Sequence, residues 1–264
     1  MMSYEDQAFV ELQFWQLKML KKPSFTDRLS RTVQTKINNL IPEKVHTVIT
    51  ATIENMIKAV LFGAKYTTGK SPDQSSSLQF REAWAKKQIR LYQKTATVEG
   101  AVTGAGGILL GLADFPLLLT IKLKLLFDIS SLYGHDVKDY KERLFILYVF
   151  QLAFSSQHHR NKVYHVVFNW EEYAASLPDN VEQFDWRTFQ QEYRDYIDLA
   201  KMAQLIPVIG AAVGAIANYK LVALLGDTAI NSYRARKLNE THRELLKGQQ
   251  NDLPKVEPIK KTPC

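Results

Sequence analysis

Cysteine is almost absent: the chain has one, Cys264, among 264 residues. One thiol cannot close an intrachain disulfide, and it cannot supply the paired cysteines of a zinc ribbon or finger. HExxH, GxSxG and CxxC are missing as well, so the common metalloprotease, hydrolase-elbow and redox signatures do not apply. No apolar run is long enough to cross a bilayer. The longest uncharged candidate, Gly100 to Ala113, would extend only ~21 Å as a helix against a hydrocarbon core of ~30 Å. Lengthening it would bury Asp114, Lys122 and Lys124, each costing on the order of 3 kcal/mol at mid-bilayer. The mean hydropathy of -0.21 agrees. The opening MMSYEDQAF is acidic and lacks a basic-then-apolar leader, which suggests an intracellular, reducing compartment.

What the chain does have is helical periodicity and positive charge. The net charge of +7 suits anionic partners, either nucleic acid or phospholipid headgroups. Phe9, Leu12, Trp15 and Met19 form one stripe over residues 4–21, with Lys18, Lys21 and Lys22 gathered at its end. Phe25, Leu29, Val33 and Ile37 predict a second helix, and Val45 through Val60 a third, opened by Pro42 and stopped near Gly63. The polar stretch 67–77, TTGKSPDQSSS, reads as a flexible loop. Helical spacing resumes at Leu78, and Pro116 is read as opening a helix that ends with Gly134 at its C-cap. Further helices are expected over 138–156, 162–170, 185–201 and 205–235. The tail 239–264, with three prolines near its end and many charges, is expected to be disordered. The β-branched KVYHVVFNW would also suit a strand, but it has no strand to pair with.

The glycine-rich GAVTGAGGILLGLADFP, 100–116, is the most distinctive segment. No Gly-Lys-Ser/Thr follows Gly107, and Leu109 stands where a dinucleotide loop needs glycine, so a phosphate loop is excluded. On a helix, Gly100, Gly104, Gly107 and Gly111 share one face. Four glycines there cost ~1 kcal/mol each in helix propensity, which close approach of another backbone can offset. A matching pattern recurs: GAVTGA at 100–105 and GAAVGA at 210–215, where Gly210 and Gly214 lie on one face. The two notched helices are therefore expected to cross closely at the centre of the fold, unless they are unrelated alanine-rich core helices. Asp114, two residues before Pro116, is read as a cap for the helix opening there, and Asn218 as a polar group satisfied across the crossing.

The cluster Gly100, Gly104, Gly106, Gly107, Asp114 and Pro116 resembles the EcsC family. LYGHDVKDYKERLFIL (132–147), IPVIGAAVGAIANY (206–219) and SYRAR (232–236) do so too, and the likeness runs from about residue 4 to 238. The resemblance implies a bacterial protein that accompanies the genes of an ABC transporter. It carries over no catalytic residue.

Other constellations are weaker. His158 and His165 share a helical face but lie ~10 Å apart along it, too far for both to bind one ion at ~2 Å. The aromatics Trp186, Phe189 and Tyr193 recur at core spacing, and basic residues are interspersed with acids, so no nucleic-acid partner is expected. Phe9, Phe14 and Trp15 with Lys18, Lys21 and Lys22 suit a helix lying in a headgroup interface, and Arg234 and Arg236 could add attraction to anionic lipid; docking of that helix on the domain is the alternative.

The sequence thus predicts an all-α, single-domain helical bundle over 1–238 with two closely packed Gly/Ala-rich central helices. No cofactor, metal or catalytic residue is assigned. The expected role is a non-enzymatic accessory protein, cytoplasmic and peripheral on the cytoplasmic face of the membrane, engaging anionic lipid or the membrane part of an ABC transporter. The alternatives are a hydrolase with a site near Asp114 and a cytosolic adaptor without lipid contact.

Overall fold

A computed structural model describes residues 2–20, 43–63, 71–105, 107–197 and 211–251. The helix expected over Phe25–Ile37, together with Lys21, Lys22 and Gly210, lies outside them. The described residues form nine α-helices and no strand; an isolated β-bridge joins Ser155 to Ile197. The helices are α1 Tyr4–Leu20, α2 Glu43–Lys58, α3 Leu78–Ala105, α4 Gly107–Tyr133, α5 Tyr140–Phe154, α6 Gln157–Phe168, α7 Trp170–Ser176, α8 Trp186–Tyr196 and α9 Ala211–Asn251. A π-helical turn, Ala59–Gly63, continues α2.

α9 is the spine. It packs most extensively along α3 and also touches α1, α4, α5 and α6. α5 is apolar all round (LFILYVFQLAF) and is accordingly buried all round. Its start is fixed by Asp139, whose side chain accepts from the Lys141 amide at 2.9 Å. Asp185 caps α8 in the same way, accepting from the Thr188 amide at 3.1 Å, and Phe189 and Tyr193 on the inner face of α8 enter the core. The segment KVYHVVFNW is helical, as its lack of a strand partner required.

α3 ends at Ala105 and α4 starts at Gly107. The two pack as an antiparallel hairpin: Tyr92 of α3 donates to Asp128 of α4 at 2.7 Å, and Arg81, near the start of α3, donates to the carbonyl of Leu132, near the end of α4, at 2.8 Å. The four-glycine face is thereby corrected. Gly100 and Gly104 close α3 while Gly107 and Gly111 open α4, so the four glycines are divided between two helices and do not share one helix face.

Pro116 sits inside α4 instead of opening a helix, and Asp114 is a half-buried residue of that helix, so it caps nothing. Proline removes one backbone donor, and the helix continues past it. Thr120 donates its hydroxyl to the Pro116 carbonyl at 2.8 Å.

Two further expectations are revised. Residues 71–77 are tied down by the buried Arg81, whose guanidinium donates to the carbonyls of Asp73, Gln74 and Ser76 at 2.9–3.1 Å. Ser71 adds a hydroxyl bond to the Ser131 carbonyl at 2.6 Å. The helix α9 also runs on to Asn251, because 239–251 is rich in Glu, Leu, Lys and Gln and its prolines begin only at Pro254. Gly134, by contrast, is the C-cap expected, with φ +92 and its amide bonded to the Ser131 carbonyl at 3.0 Å.

The α3–α9 packing is tight at a glycine outside both patterned segments. A Cβ added at Gly226 would lie 2.6 Å from both Cδ1 and Cγ1 of Ile89 and 2.9 Å from its Cγ2. The whole β-branched side chain would have to move. Gly226→Ala should therefore destabilise the fold by about 1–2 kcal/mol in denaturant titration despite its better helix propensity. In an Ile89→Ala background the same glycine substitution should cost little; a Gly226→Ala chain at least as stable as the parent would show that the contact is loose.

Candidate functional site

Several polar residues of the interior converge on one stretch of α9, Ser232–Arg236. Arg234 and Glu82 of α3, both buried, form a two-pronged pair: Nε to Oε1 at 2.8 Å and Nη2 to Oε2 at 2.5 Å. Tyr4 of α1 donates its hydroxyl to Glu82 Oε2 at 2.7 Å. Arg234 Nη1 reaches Glu11 of α1 at 2.9 Å and the Ala8 carbonyl at 3.3 Å. The guanidinium thereby joins α1, α3 and α9.

Two residues further along, Arg236 Nη1 bonds Glu142 Oε2 of α5 at 2.7 Å, and its guanidinium lies 4.5 Å from the Phe145 ring centroid. The other Glu142 oxygen accepts from Ser130 at 2.7 Å and from Tyr233 at 2.6 Å. Glu171 of α7 meets the outer side of Arg236 at 3.3 Å. Between the two ion pairs, Tyr133 stacks on Tyr233 with centroids 5.3 Å apart, and His135 lies against the same tyrosine with Nδ1 3.8 Å from Glu142 Oε2.

This belt brings together LYGHDVKDYKERL and SYRAR, which lie about a hundred residues apart in the chain. Its electrostatics follow from burial. Desolvation alone would lower the Arg234 and Arg236 pKa values, but the hydrogen bonds and charges of Glu82 and Glu142 hold both above the ordinary arginine range. Burial, aided by Glu82, pushes the Tyr133 phenol up; burial, aided by Glu142, does the same for Tyr233. Every oxygen of the two carboxylates accepts from a protein donor. The belt acts as a clamp between helices.

The residues expected to form a site are dispersed. Arg234 and Arg236 are held in this belt and cannot present charge to lipid, so that expectation is corrected. Trp15 is corrected too: at 7% exposure it packs inward against Tyr164 with Ala8, Leu12 and Met19. Phe9, Phe14 and Lys18 of α1 remain exposed. Gly100, Gly104, Gly107 and Gly214 are helical, at the ends of α3, α4 and α9 nearest the hairpin turn.

Asn218 is fully buried and accepts at Oδ1 from Lys122 Nζ at 3.0 Å, so its partner comes from α4 rather than α3. Lys122, also fully buried, reaches back to the Leu118 carbonyl at 3.4 Å. His159 bonds Ser156 at 3.0 Å and stacks on Tyr196, and His165 meets Tyr164 edge-on. Among the described residues no three potential ligands gather to hold a metal ion.

Glu82, Glu142, Tyr4, Tyr133 and Lys122 escaped the sequence reading. Their signal is faint but present: a lone glutamate opening an apolar helix, and a lysine inside one, need buried partners.

The fold and its belt define an all-helical bundle locked by internal ion pairs, in which no described helix is long and apolar enough to cross a membrane. The chain belongs to the EcsC protein family, whose profile matches residues 6–238. It is 52% identical over 227 residues to the protein EcsC of Bacillus subtilis (strain 168), covering 86% of this chain and 93% of that one. It is 28% identical over 262 residues to the uncharacterized protein YdbA of the same strain, covering 90% and 96%. No solved structure matches the chain.

Alkaline titration tests the belt. Tyr133, Tyr193 and Tyr233 are buried, with phenol pKa values well above the ordinary 10.0. The folded state therefore keeps these protons where the unfolded chain releases them. Their contribution is full below pH ~10 and is lost as pH rises beyond it. Tyrosinate absorbance should show these three of the 12 tyrosines ionising only together with loss of helical circular dichroism. All 12 ionising while the helix signal persists would refute their burial.

Proposed function

We propose that the protein is a non-enzymatic accessory that lies peripherally on the cytoplasmic face of the membrane and engages lipid or the membrane part of an ABC transporter. The observation that carries this reading is the outward face of α1. Its inner stripe already packs on the bundle, yet Phe14 is 68% and Leu17 66% exposed, with Phe9 and Val10 beside them. Each such side chain gains roughly 1.5–3 kcal/mol on leaving water, so a helix apolar on both faces favours a second apolar environment. Lys18 stands at the end of the same helix, where it can meet headgroups while its stem lies along apolar surface.

The absence of a membrane-crossing helix among the described residues fits surface attachment. The two engaged carboxylates of the belt fit a scaffold better than a catalyst. The transporter part of the reading rests on the family resemblance.

The glycine-notched crossing belongs to the same reading. Glu82 opposite Arg234 and Ile89 opposite Gly226 set an antiparallel α3–α9 register. Carried onward at the common helical rise, that register brings Gly100 and Gly104 to the first turn of α9, which contains Gly214.

Cell fractionation tests the reading. The chain should pellet with membranes and be released by carbonate without detergent. Phe14→Glu with Leu17→Glu should move most of it to the soluble fraction without lowering the melting temperature, since both side chains face outward. A wild-type chain recovered wholly in the soluble fraction would exclude this function and favour a cytosolic adaptor.

A further inference from the structure

α3 presents a second apolar stripe that faces away from the core. Phe80, Trp84, Leu91 and Val98 recur along the helix side opposite the buried Glu82, Ala85, Ile89 and Ala96, and all four are exposed, Leu91 at 57% and Val98 at 65%. From Phe80 to Val98 the stripe extends about 27 Å along the helix. Between Leu78 and Val98, Arg81 and Glu82 are buried, and the remaining charged residues, Lys86, Lys87, Arg90 and Lys94, are exposed and basic. Lys87 Nζ lies 4.6 Å from the centroid of the Trp84 ring, which in turn meets Phe80. Aromatic and aliphatic side chains with lysines and arginine along one flank are the pattern of a helix lying in a headgroup interface.

α1 cannot supply the same selectivity. Its acids Glu5, Asp6 and Glu11 are matched in number by Lys18 and the Lys21 and Lys22 that follow it in the sequence, so its apolar face has no net preference for an anionic surface. α1 runs beside α3 on α9, with Tyr4 bonded to Glu82. The geometry points to the outward face of α3 as a binding surface for anionic phospholipid, its aromatic stripe entering the interface and Lys87, Arg90 and Lys94 meeting phosphate. This inference rests on the membrane-peripheral reading above and adds to it the helix and the lipid charge that are recognised.

The test uses the full chain and vesicles of phosphatidylcholine alone or with about a third phosphatidylglycerol, read by co-sedimentation. The wild-type chain should partition more strongly into the anionic vesicles, and less so as salt rises. Lys87→Ala with Lys94→Ala should lower that partitioning by roughly thirtyfold, at about fivefold per basic residue, and leave neutral vesicles unaffected. Trp84→Ser with Leu91→Ser should weaken binding to both vesicles. These side chains are exposed, and helical circular dichroism with thermal unfolding verifies that each variant folds.

Variants of α3 that bind like the wild type, beside a Phe14→Glu variant that does not, would overturn this inference and leave lipid contact with α1. A wild-type chain that ignores both vesicles would overturn the lipid reading as a whole. If it ignores vesicles while Trp84→Ser releases it from membranes in cells, the face takes a membrane protein and the lipid assignment is wrong.

Discussion

Two arginines, two residues apart on α9, are enclosed in an apolar interior, and the arrangement of the helices around them satisfies both. A guanidinium removed from water without partners would cost several kcal/mol, so α9 can be buried only where carboxylates meet it. Glu82 arrives from α3, Glu142 from α5 and Glu11 from α1, with Tyr4 and Tyr233 completing the acceptor shells. Alternative packings of five apolar helices would be close in hydrophobic energy. Few of them would bring three acids to one segment of one helix, so the ion pairs select the register that the apolar surfaces leave loosely specified.

That constraint has a functional side. Charges spent inside the bundle are unavailable outside it, which removes Arg234 and Arg236 from any contact with anions. Most of the large apolar side chains left exposed lie on the outer faces of α1 and α3, with Leu117 of α4 and Ile216 and Tyr219 of α9 exposed as well. The belt carboxylates are engaged, His135, His159 and His165 lie against tyrosines, and the buried lysine is bonded to Asn218.

Much of the fold was legible from spacing. The all-helical class, the amphipathic α8 and the wholly apolar α5 follow from which positions are apolar, and Gly134 followed from the need for positive φ at a helix end. The errors came where one residue can serve two local structures. Pro116 can open a helix or sit within one, and packing of α4 against α3 and α9 decides for the interior. The glycines of 100–111 read as the face of one helix, and the antiparallel bonds between α3 and α4 show that they are shared between two. Of the candidate site, the two sequence segments that form the belt were recognisable, but their pairing was not, because complementarity between residues about a hundred positions apart leaves no local pattern. The loop before α3 was misjudged for the same reason: its order comes from Arg81, a residue outside it.

A double-mutant cycle between Glu82 and Arg234, each replaced by methionine and followed by chemical denaturation, measures the clamp directly. Each single variant leaves a buried charge without its main partner and should cost about 3 kcal/mol, whereas the double variant should recover a large part of that loss. A coupling near zero, with the single losses simply adding, would mean that the helices hold their register without this pair and would contradict the account.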